Sequence, residues 1–478
     1  MSVHSTTNNS NSLKRWFSAA FLMLGAFMNL LDATIVNLAL PAIQADLDAS
    51  SSKLQWILVA YLLAFAAGLL PFGRFGDVFG RKRVFVLGLT AFIAMSLLVG
   101  VAPDINTLIA ARALQGVAGA AMVPQVLAII HVIFDEGDRG RAIGLFGMVN
   151  ALGAVAGPVI GGAVISADLF GLGWRPIFLI NIPLGLAAIV GVMILLPEEN
   201  NTKQGKADWV GAGWFAAAVL TVIYPLIEGR MLGWPVWMLV FPILSIYFAI
   251  AFLRRQRSLE RLGRTQTLPL SLFRDRKFLT GVATLSTLIS GIAGVMVILA
   301  LFLQSGLGFS PLTAGLAIAP HPISAMIASL ATGRFGARWL DWRLFAGILS
   351  LLIGMLWLRI NIADAVSSRD FFGPLVLIGG GGATAFVALF QLTLARVSGP
   401  DAGAGSGAMQ AFQQVGIAVG IGLVGQLFFA TLGAENSDLA YRAAMSAGLL
   451  YSIFVFIALA LLTLFNILKE RHTHEAEY

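Results

Sequence analysis

Two charged residues stand where charge is costly. Asp32 lies in the run Leu30-Leu31-Asp32-Ala33-Thr34-Ile35-Val36-Asn37, and Arg112 lies in Ala111-Arg112-Ala113-Leu114-Gln115-Gly116. Asp32 is the one acidic residue deep in any long apolar segment of the chain. An ionisable group at membrane depth is expensive and is by default a functional candidate. Arginine does not shed its proton, so it needs an acceptor. Measured from the nearer ends of their segments, both residues sit ~9–14 Å deep, at about 1.5 Å per helical residue. Equal depth permits pairing. Burial penalises the carboxylate and Arg112 offsets that penalty, and a group so balanced can exchange a proton. A permanent structural ion pair is the competing reading. Gln115 shares a helix face with Arg112 at i+3, where it either orients the pair or meets a bound molecule.

The elements that position these groups follow from composition. The chain has 478 residues, of which 58% are hydrophobic and only 12% charged. Mean hydropathy is +0.86. A soluble globular domain carries roughly 25% charged residues, so the composition argues against a solvated enzyme and excludes disorder and collagen. A spanning helix needs about 20 mostly apolar residues. Reading from breaker to breaker gives fourteen such segments: 16–41, 54–73, 84–102, 106–133, 142–166, 174–196, 208–229, 234–253, 277–305, 311–333, 343–362, 372–396, 405–432 and 441–467. Continuous apolar runs mean helices, because a lipid-embedded backbone must satisfy itself.

Charge tests this count. Of 31 Lys and Arg residues, 24 fall in alternate connections on the side of the N-terminus, 5 on the other side, and Arg112 and Arg359 within spans. That asymmetry obeys the positive-inside rule, which places both termini in the cytoplasm. It also accounts for the net charge of +7, so no nucleic-acid partner is expected. There is no cysteine, hence no disulfide, thiolate metal site or cysteine nucleophile. Residues 1–15, polar at first, read as a disordered tail.

Glycines mark two further segments. Gly73-Arg74-Phe75-Gly76-Asp77-Val78-Phe79-Gly80-Arg81-Lys82-Arg83 follows the second span. Its glycines permit a tight turn between closely packed helices, with Asp77 at a helix N-terminus. A second copy, Gly333-Arg334-Phe335-Gly336, follows the tenth span but has Ala337 at the Asp position and Leu340 at the last Gly position. Tandem halves are a transporter habit. The fifth span carries Gly144, Gly153, Gly157-Pro158 and Gly161-Gly162. Glycines four apart let helices approach closely in lipid, and Gly-Pro bends the helix.

These motifs resemble those of the major facilitator superfamily. The Gly73–Arg83 segment is similar to its loop signature G-x-x-x-D-x-x-G-R-K/R, and the fifth span to its antiporter motif. Asp32, the Arg112-x-x-Gln115-Gly116 segment, Trp174-Arg175-Pro176-Ile177-Phe178-Leu179-Ile180-Asn181-Ile182-Pro183-Leu184-Gly185 and Phe302-Leu303-Gln304 resemble features of its fourteen-helix drug:proton antiporter family. The resemblance spans nearly the whole chain. It implies an all-α membrane fold and export of amphiphilic drugs by proton antiport. It further implies proton coupling at Asp32 and Arg112, gating at Gly73, Asp77, Gly80 and Arg81, and an antiporter helix at Gly153, Gly157, Pro158 and Gly161. Gln115, Asn37, Gln304, His321, Gln410 and Gln414 become candidate substrate contacts.

One departure bears on the substrate. Some members that export polyvalent cations carry extra acids in the C-terminal half. Here spans nine to fourteen have no deep Asp or Glu; their mid-membrane polar groups are Gln304, His321, Gln391, Gln410, Gln413 and Gln414. Neutral, zwitterionic or monocationic amphiphiles are therefore expected. His321, between Pro320 and Pro322, could titrate at a helix break or be structural. Glu228 reads as an interfacial turn residue.

Other chemistry finds no support in sequence. No G-x-x-x-x-G-K-[ST], H-E-x-x-H or G-x-S-x-G motif occurs, which argues against an ATP-driven pump, a zinc hydrolase and a serine hydrolase. No cofactor or metal is expected. A facilitator or a proton symporter for a small metabolite is the alternative function, and a membrane-embedded enzyme a distant third. The expected architecture is a tail (1–15), a six-helix bundle (16–196), an inserted pair with its loop (197–253), a basic cytoplasmic linker (254–276), a second six-helix bundle (277–467) and a tail (468–478). The protein is expected as a monomer in the cytoplasmic membrane, with membrane lipids, protons and an amphiphilic small molecule as its partners.

Overall fold

In the computed structural model the chain is helical from end to end. The structure describes residues 4–196, 208–262, 266, 270–333, 339–395, 402–433, 435 and 437–475. Fourteen helices long and apolar enough to cross a membrane occur among them. They are α1 (His4–Leu47), α2 (Ser51–Phe79), α3 (Arg81–Gly100), α4 (Ile105–Ile133) and α5 (Glu136–Ser166). Then come α6 (Pro176–Leu195), α7 (Trp209–Glu228), α8 (Val236–Arg261), α9 (Arg276–Gly306) and α10 (Pro311–Thr332). The last are α11 (Leu340–Asn361), α12 (Ser368–Thr393), α13 (Ala402–Leu432) and α14 (Asp438–Glu475). No strand occurs among the described residues.

Packing follows the repeat. In the first half the broadest helix pairings are α2 on α4, α3 on α4 and α1 on α5; in the second they are α10 on α12, α11 on α12 and α9 on α13. Each pairing recurs eight helices later. The pair α7–α8 packs on itself and on α2 and α13, outside both halves. An even number of spans puts both termini on one face. The halves meet across two seams, α2 with α13 and α5 with α10, which the repeat also relates. Two hydrogen bonds between halves lie toward the face opposite the termini. Gln304 Nε2 donates to the Leu38 carbonyl at 3.1 Å, and the Leu312 N–H donates to Ser166 Oγ at 3.0 Å.

Several expected boundaries move. α1 starts at His4, through the polar tail expected to be disordered, and α14 runs to Glu475, past the expected end at 467. Extending an existing helix costs far less than nucleating one, so apolar spans propagate into polar flanks. α8 likewise continues to Arg261, so the basic linker begins as helix. There Asp208 accepts from Arg255 Nε at 3.2 Å and Gln256 Nε2 at 3.0 Å and holds the two ends of the pair together.

Prolines break helices where they stand. Pro183 cannot donate to the Leu179 carbonyl, and α6 is interrupted between Leu179 and Asn181. Pro320 and Pro322 divide α10 into Pro311–Ile318 and Pro320–Gly333.

Candidate functional site

Asp32 and Arg112 meet inside the first bundle. Asp32 comes from the middle of α1 and Arg112 from the opposite-face half of α4, whose N-terminus is fixed by Asp104 accepting the N–H groups of Asn106 and Thr107 at 2.9 and 3.0 Å. The side chain of Arg112 is 1% exposed and that of Asp32 is 0% exposed. Arg112 Nη1 donates to Asp32 Oδ2 and, at 2.7 Å, to Gln115 Oε1. Arg112 Nε donates to the Ile57 carbonyl at 3.3 Å, and its Cζ lies 4.2 Å from the centre of the Tyr61 ring.

The other carboxylate oxygen faces amides. Gln115 Nε2 and Asn181 Nδ2 each donate to Asp32 Oδ1 at 3.1 Å. Both also donate to Ser96 Oγ, at 2.7 and 3.2 Å. Asn181 Oδ1 is buried with no hydrogen-bond partner. Behind Arg112, Asn29 Nδ2 donates to the Tyr61 hydroxyl at 2.5 Å. The cluster thus draws on α1, α2, α3, α4 and the break in α6. It solvates a carboxylate entirely with protein groups. Access to the Asp32 carboxylate requires that a donor turn away or a helix shift.

The sequence signalled the two charges and Gln115. It gave no comparable sign of Ser96, Asn181, Tyr61 and Asn29, because single neutral polar residues in apolar helices are common. A signal that could have found Asn181 is its place two residues before Pro183, where a helix break exposes a polar group.

The glycine face of α5 packs on α1. A Cβ at Gly153 would stand 3.1 Å from the Phe27 carbonyl oxygen. One at Gly157 would stand 2.8 Å from Thr34 Cβ, and one at Gly161 would stand 2.6 Å from Ile35 Cγ1. The helix carrying Asp32 is therefore held against α5 at backbone distance. Pro158 and Gly162 face the other way. A Cβ at Gly315 of α10 would run into the Pro158 carbonyl, and one at Gly162 would stand 2.8 Å from Leu312 Cα.

The α2–α3 segment differs from the turn expected. α2 stays helical through Gly73 and Gly76 to Phe79, and the turn is Gly80 alone, at φ +97°. Gly76 serves packing: a Cβ there would meet the Gln125 amide, whose Nε2 donates to the Phe72 carbonyl at 2.9 Å. Asp77 falls in the last turn of α2, not at a helix N-terminus, and its side chain lies outside the described residues. Arg81 Nη1 donates to the Ala128 carbonyl of α4 at 3.0 Å. In the second copy, residues 334–338 lie outside the described residues.

The remaining candidates are dispersed. Asn37 and His321 are half-buried, and the His321 carbonyl accepts from Ser324 Oγ at 2.9 Å. Gln304 is engaged at the junction of the halves. Gln410 is exposed; Gln414 is half-buried with Oε1 unpartnered, as is Gln391 Oε1. Glu228 is more than a turn residue, since Oε1 accepts from Trp56 Nε1 of α2 at 2.8 Å.

Comparison with known proteins agrees with this architecture. Among curated proteins, the chain is 39% identical over 426 residues to the "Probable actinorhodin transporter" of Streptomyces coelicolor, covering 88% of this chain and 74% of that one. It is 31% identical over 416 residues to "Multidrug resistance protein Stp" of Mycobacterium tuberculosis, covering 86% and 75%. It is 30% identical over 435 residues to the "Tetracenomycin C resistance and export protein" of Streptomyces glaucescens, covering 88% and 78%. The fold matches a solved bacterial homologue of the human lysosomal transporter Spinster in an inward-facing, unoccupied conformation. The TM-score is 0.66 at 18% identity, over 95% of this chain and 98% of that one. The model of the Major Facilitator Superfamily matches residues 22–421. Fourteen spans, relatives named for transport, drug resistance and export, and a family match over most of the length together make this chain a multi-pass transporter of the Major Facilitator Superfamily.

Proposed function

We propose that the protein exports amphiphilic small molecules, antibiotics among them, across the cytoplasmic membrane in exchange for protons. The observation that carries the coupling is the buried Asp32–Arg112 pair, closed off by Gln115, Asn181 and Ser96. The relatives named for resistance and export support the direction of transport and the substrate class. The bias of Lys and Arg supports a cytoplasmic position for the face bearing the termini. Contact between halves at the opposite face then corresponds to a state open to the cytoplasm. Rocking of the bundles opens the two faces in turn.

In this cycle protonation of Asp32 from outside favours substrate release, and deprotonation toward the cytoplasm permits rebinding. Each proton moved inward across 100 mV supplies about 2.3 kcal/mol. Arg112 stays charged throughout and keeps Gln115 Oε1 and the Ile57 carbonyl when Asp32 is neutral. The buried, unpartnered Oε1 atoms of Gln391 and Gln414 support the second half as a source of polar contacts to substrate.

Substrate-triggered proton movement in proteoliposomes tests the proposal. Amphiphiles added under a pH gradient release protons through the wild type and not through Asp32→Asn, which stays folded because an amide oxygen can still accept from Arg112. Uphill efflux by Asp32→Asn at the wild-type rate overturns it. Binding of the same compounds without proton flux supports a facilitator instead.

A further inference from the structure

The inserted pair touches both halves, but in two different ways. Against α2 of the first half, α7 is fastened at both ends. Near the face bearing the termini, the Trp209 ring packs on Phe72 and Phe75 at 5.0 and 6.1 Å between centres. Near the opposite face, Trp56 Nε1 donates to Glu228 and its ring lies 6.3 Å from Tyr224. Against α13 of the second half, the joint near the opposite face is small and polar. Gln426 Nε2 donates at 2.5 Å to the Leu226 carbonyl, one of the last-turn carbonyls that a helix leaves without an internal donor. Beside it a small cavity is lined by Ser52, Gln55, Ile227, Arg230, Gly425 and Gln426. Gln55 is 4% exposed there and its Oε1 has no partner. Deeper, Phe215 meets Phe412 at 5.8 Å.

We infer that α7 moves as part of the first bundle, and that the Gln426–Leu226 bond is the joint that parts when the opposite face opens. Two aromatic anchors and a hydrogen bond hold one side along the length of the helix. At the opposite face, one hydrogen bond beside a small cavity holds the other. A polar joint with an unsatisfied acceptor accepts water on opening at little cost, whereas separating the Trp56 and Trp209 contacts exposes aromatic surface. The companion seam, α5 with α10, closes by direct contact at Gly162 and Gly315 and by the Leu312–Ser166 hydrogen bond, without the inserted pair. The two seams are related by the repeat, yet one is strapped to a third element. The inserted pair therefore adds a releasable third contact to the α2–α13 seam while the opposite face is closed. This inference rests on the alternating-access reading.

The experiment exploits a chain without native cysteine. A Cβ at Gly422 would stand 3.3 Å from Leu226 Cβ, close to the ~3.8 Å of a disulfide. The variant Leu226→Cys/Gly422→Cys is oxidised in lipid nanodiscs, and amide hydrogen exchange is followed over residues 51–58 and 422–430. A second variant, Trp56→Cys/Glu228→Cys, is bridged by a bismaleimide. The α7–α13 disulfide suppresses exchange several-fold, reversed by reductant, while the α2–α7 bridge leaves it unchanged. Gln426→Leu, which needs no cross-link, raises exchange there roughly fivefold, the population shift that one hydrogen bond of typical net strength supports. Suppression by the α2–α7 bridge, or no suppression by the disulfide, overturns the inference. The measurement uses neither substrate nor proton gradient, so a failure of the antiport reading leaves its outcome legible.

Discussion

Arg112 addresses only one oxygen of Asp32. The guanidinium holds Oδ2, while Oδ1 is left to the neutral amides of Gln115 and Asn181. The two oxygens therefore stand in different environments within one carboxylate. The guanidinium is further tied to the Ile57 carbonyl, Gln115 and the Tyr61 ring. Arg112 keeps partners if Asp32 loses its charge; Asp32 has no second cation if Arg112 is lost.

That imbalance predicts unequal costs. Arg112→Met strands a buried carboxylate and lowers stability by about 3–5 kcal/mol, the usual cost of breaking a buried pair. Asp32→Asn leaves Arg112 with its other acceptors and costs less. Thermal unfolding of the purified variants in detergent checks the order, and equal losses would contradict it.

Glycine positions on α5 separate packing from mere helix content. Gly157→Ala drives a methyl into Thr34 and Ile35 of α1, so transport falls sharply. Gly147→Ala, on the same helix, meets nothing within 4 Å and is neutral or stabilising by about 0.5–1 kcal/mol, the intrinsic advantage of Ala over Gly in a helix. Transport rate and melting temperature of the two variants give the comparison. A tolerated Gly157→Ala would mean that α1 and α5 need not stay in register.

Asp77→Asn should slow turnover more than it weakens binding. Asp77 sits in the final turn of α2, one step before the Gly80 turn and the Arg81 anchor on α4. A carboxylate at a helix C-terminus is unfavourable by itself and calls for nearby cations. Equilibrium binding of a fluorescent substrate, set beside its efflux rate, distinguishes the two effects; an unchanged rate rejects a gating role.

Substrate charge gives the fourth test. α9–α14 carry no acid at mid-membrane depth, so monocations and neutral amphiphiles should be exported and dications poorly. Efflux of matched mono- and divalent ammonium compounds from cells or vesicles measures this. Strong export of the dication alone would require a carboxylate from outside the second half.

The long-range plan was legible because lipid makes it so. A backbone in hydrocarbon has few choices, and charge bias fixed the alternation of Lys53 and Arg175 against Arg81 and Arg141. Equal depth in their spans pointed to a pairing of Asp32 with Arg112. The fine structure was less legible, since it depends on which face of each helix turns inward. Nothing local says that Ser96 of α3 and Asn181 of α6 converge on one carboxylate. Gly73 and Gly76 suggested a loop, yet the helix runs through them because close contact with α4, not chain reversal, is what they provide. Glu228 looked like a turn residue until α2 supplied the Trp56 indole.

The two glycine faces of α5 divide the chain unevenly with respect to mutation. Gly153, Gly157 and Gly161 meet α1, while Pro158 and Gly162 meet α10. A side chain added on either face wedges a helix that the other face still holds. An adapting lineage can repaint freely exposed positions residue by residue, but this helix offers it almost no intermediate steps. Compounds lodged beside α5 would accordingly be the hardest for such a transporter to escape through single substitutions.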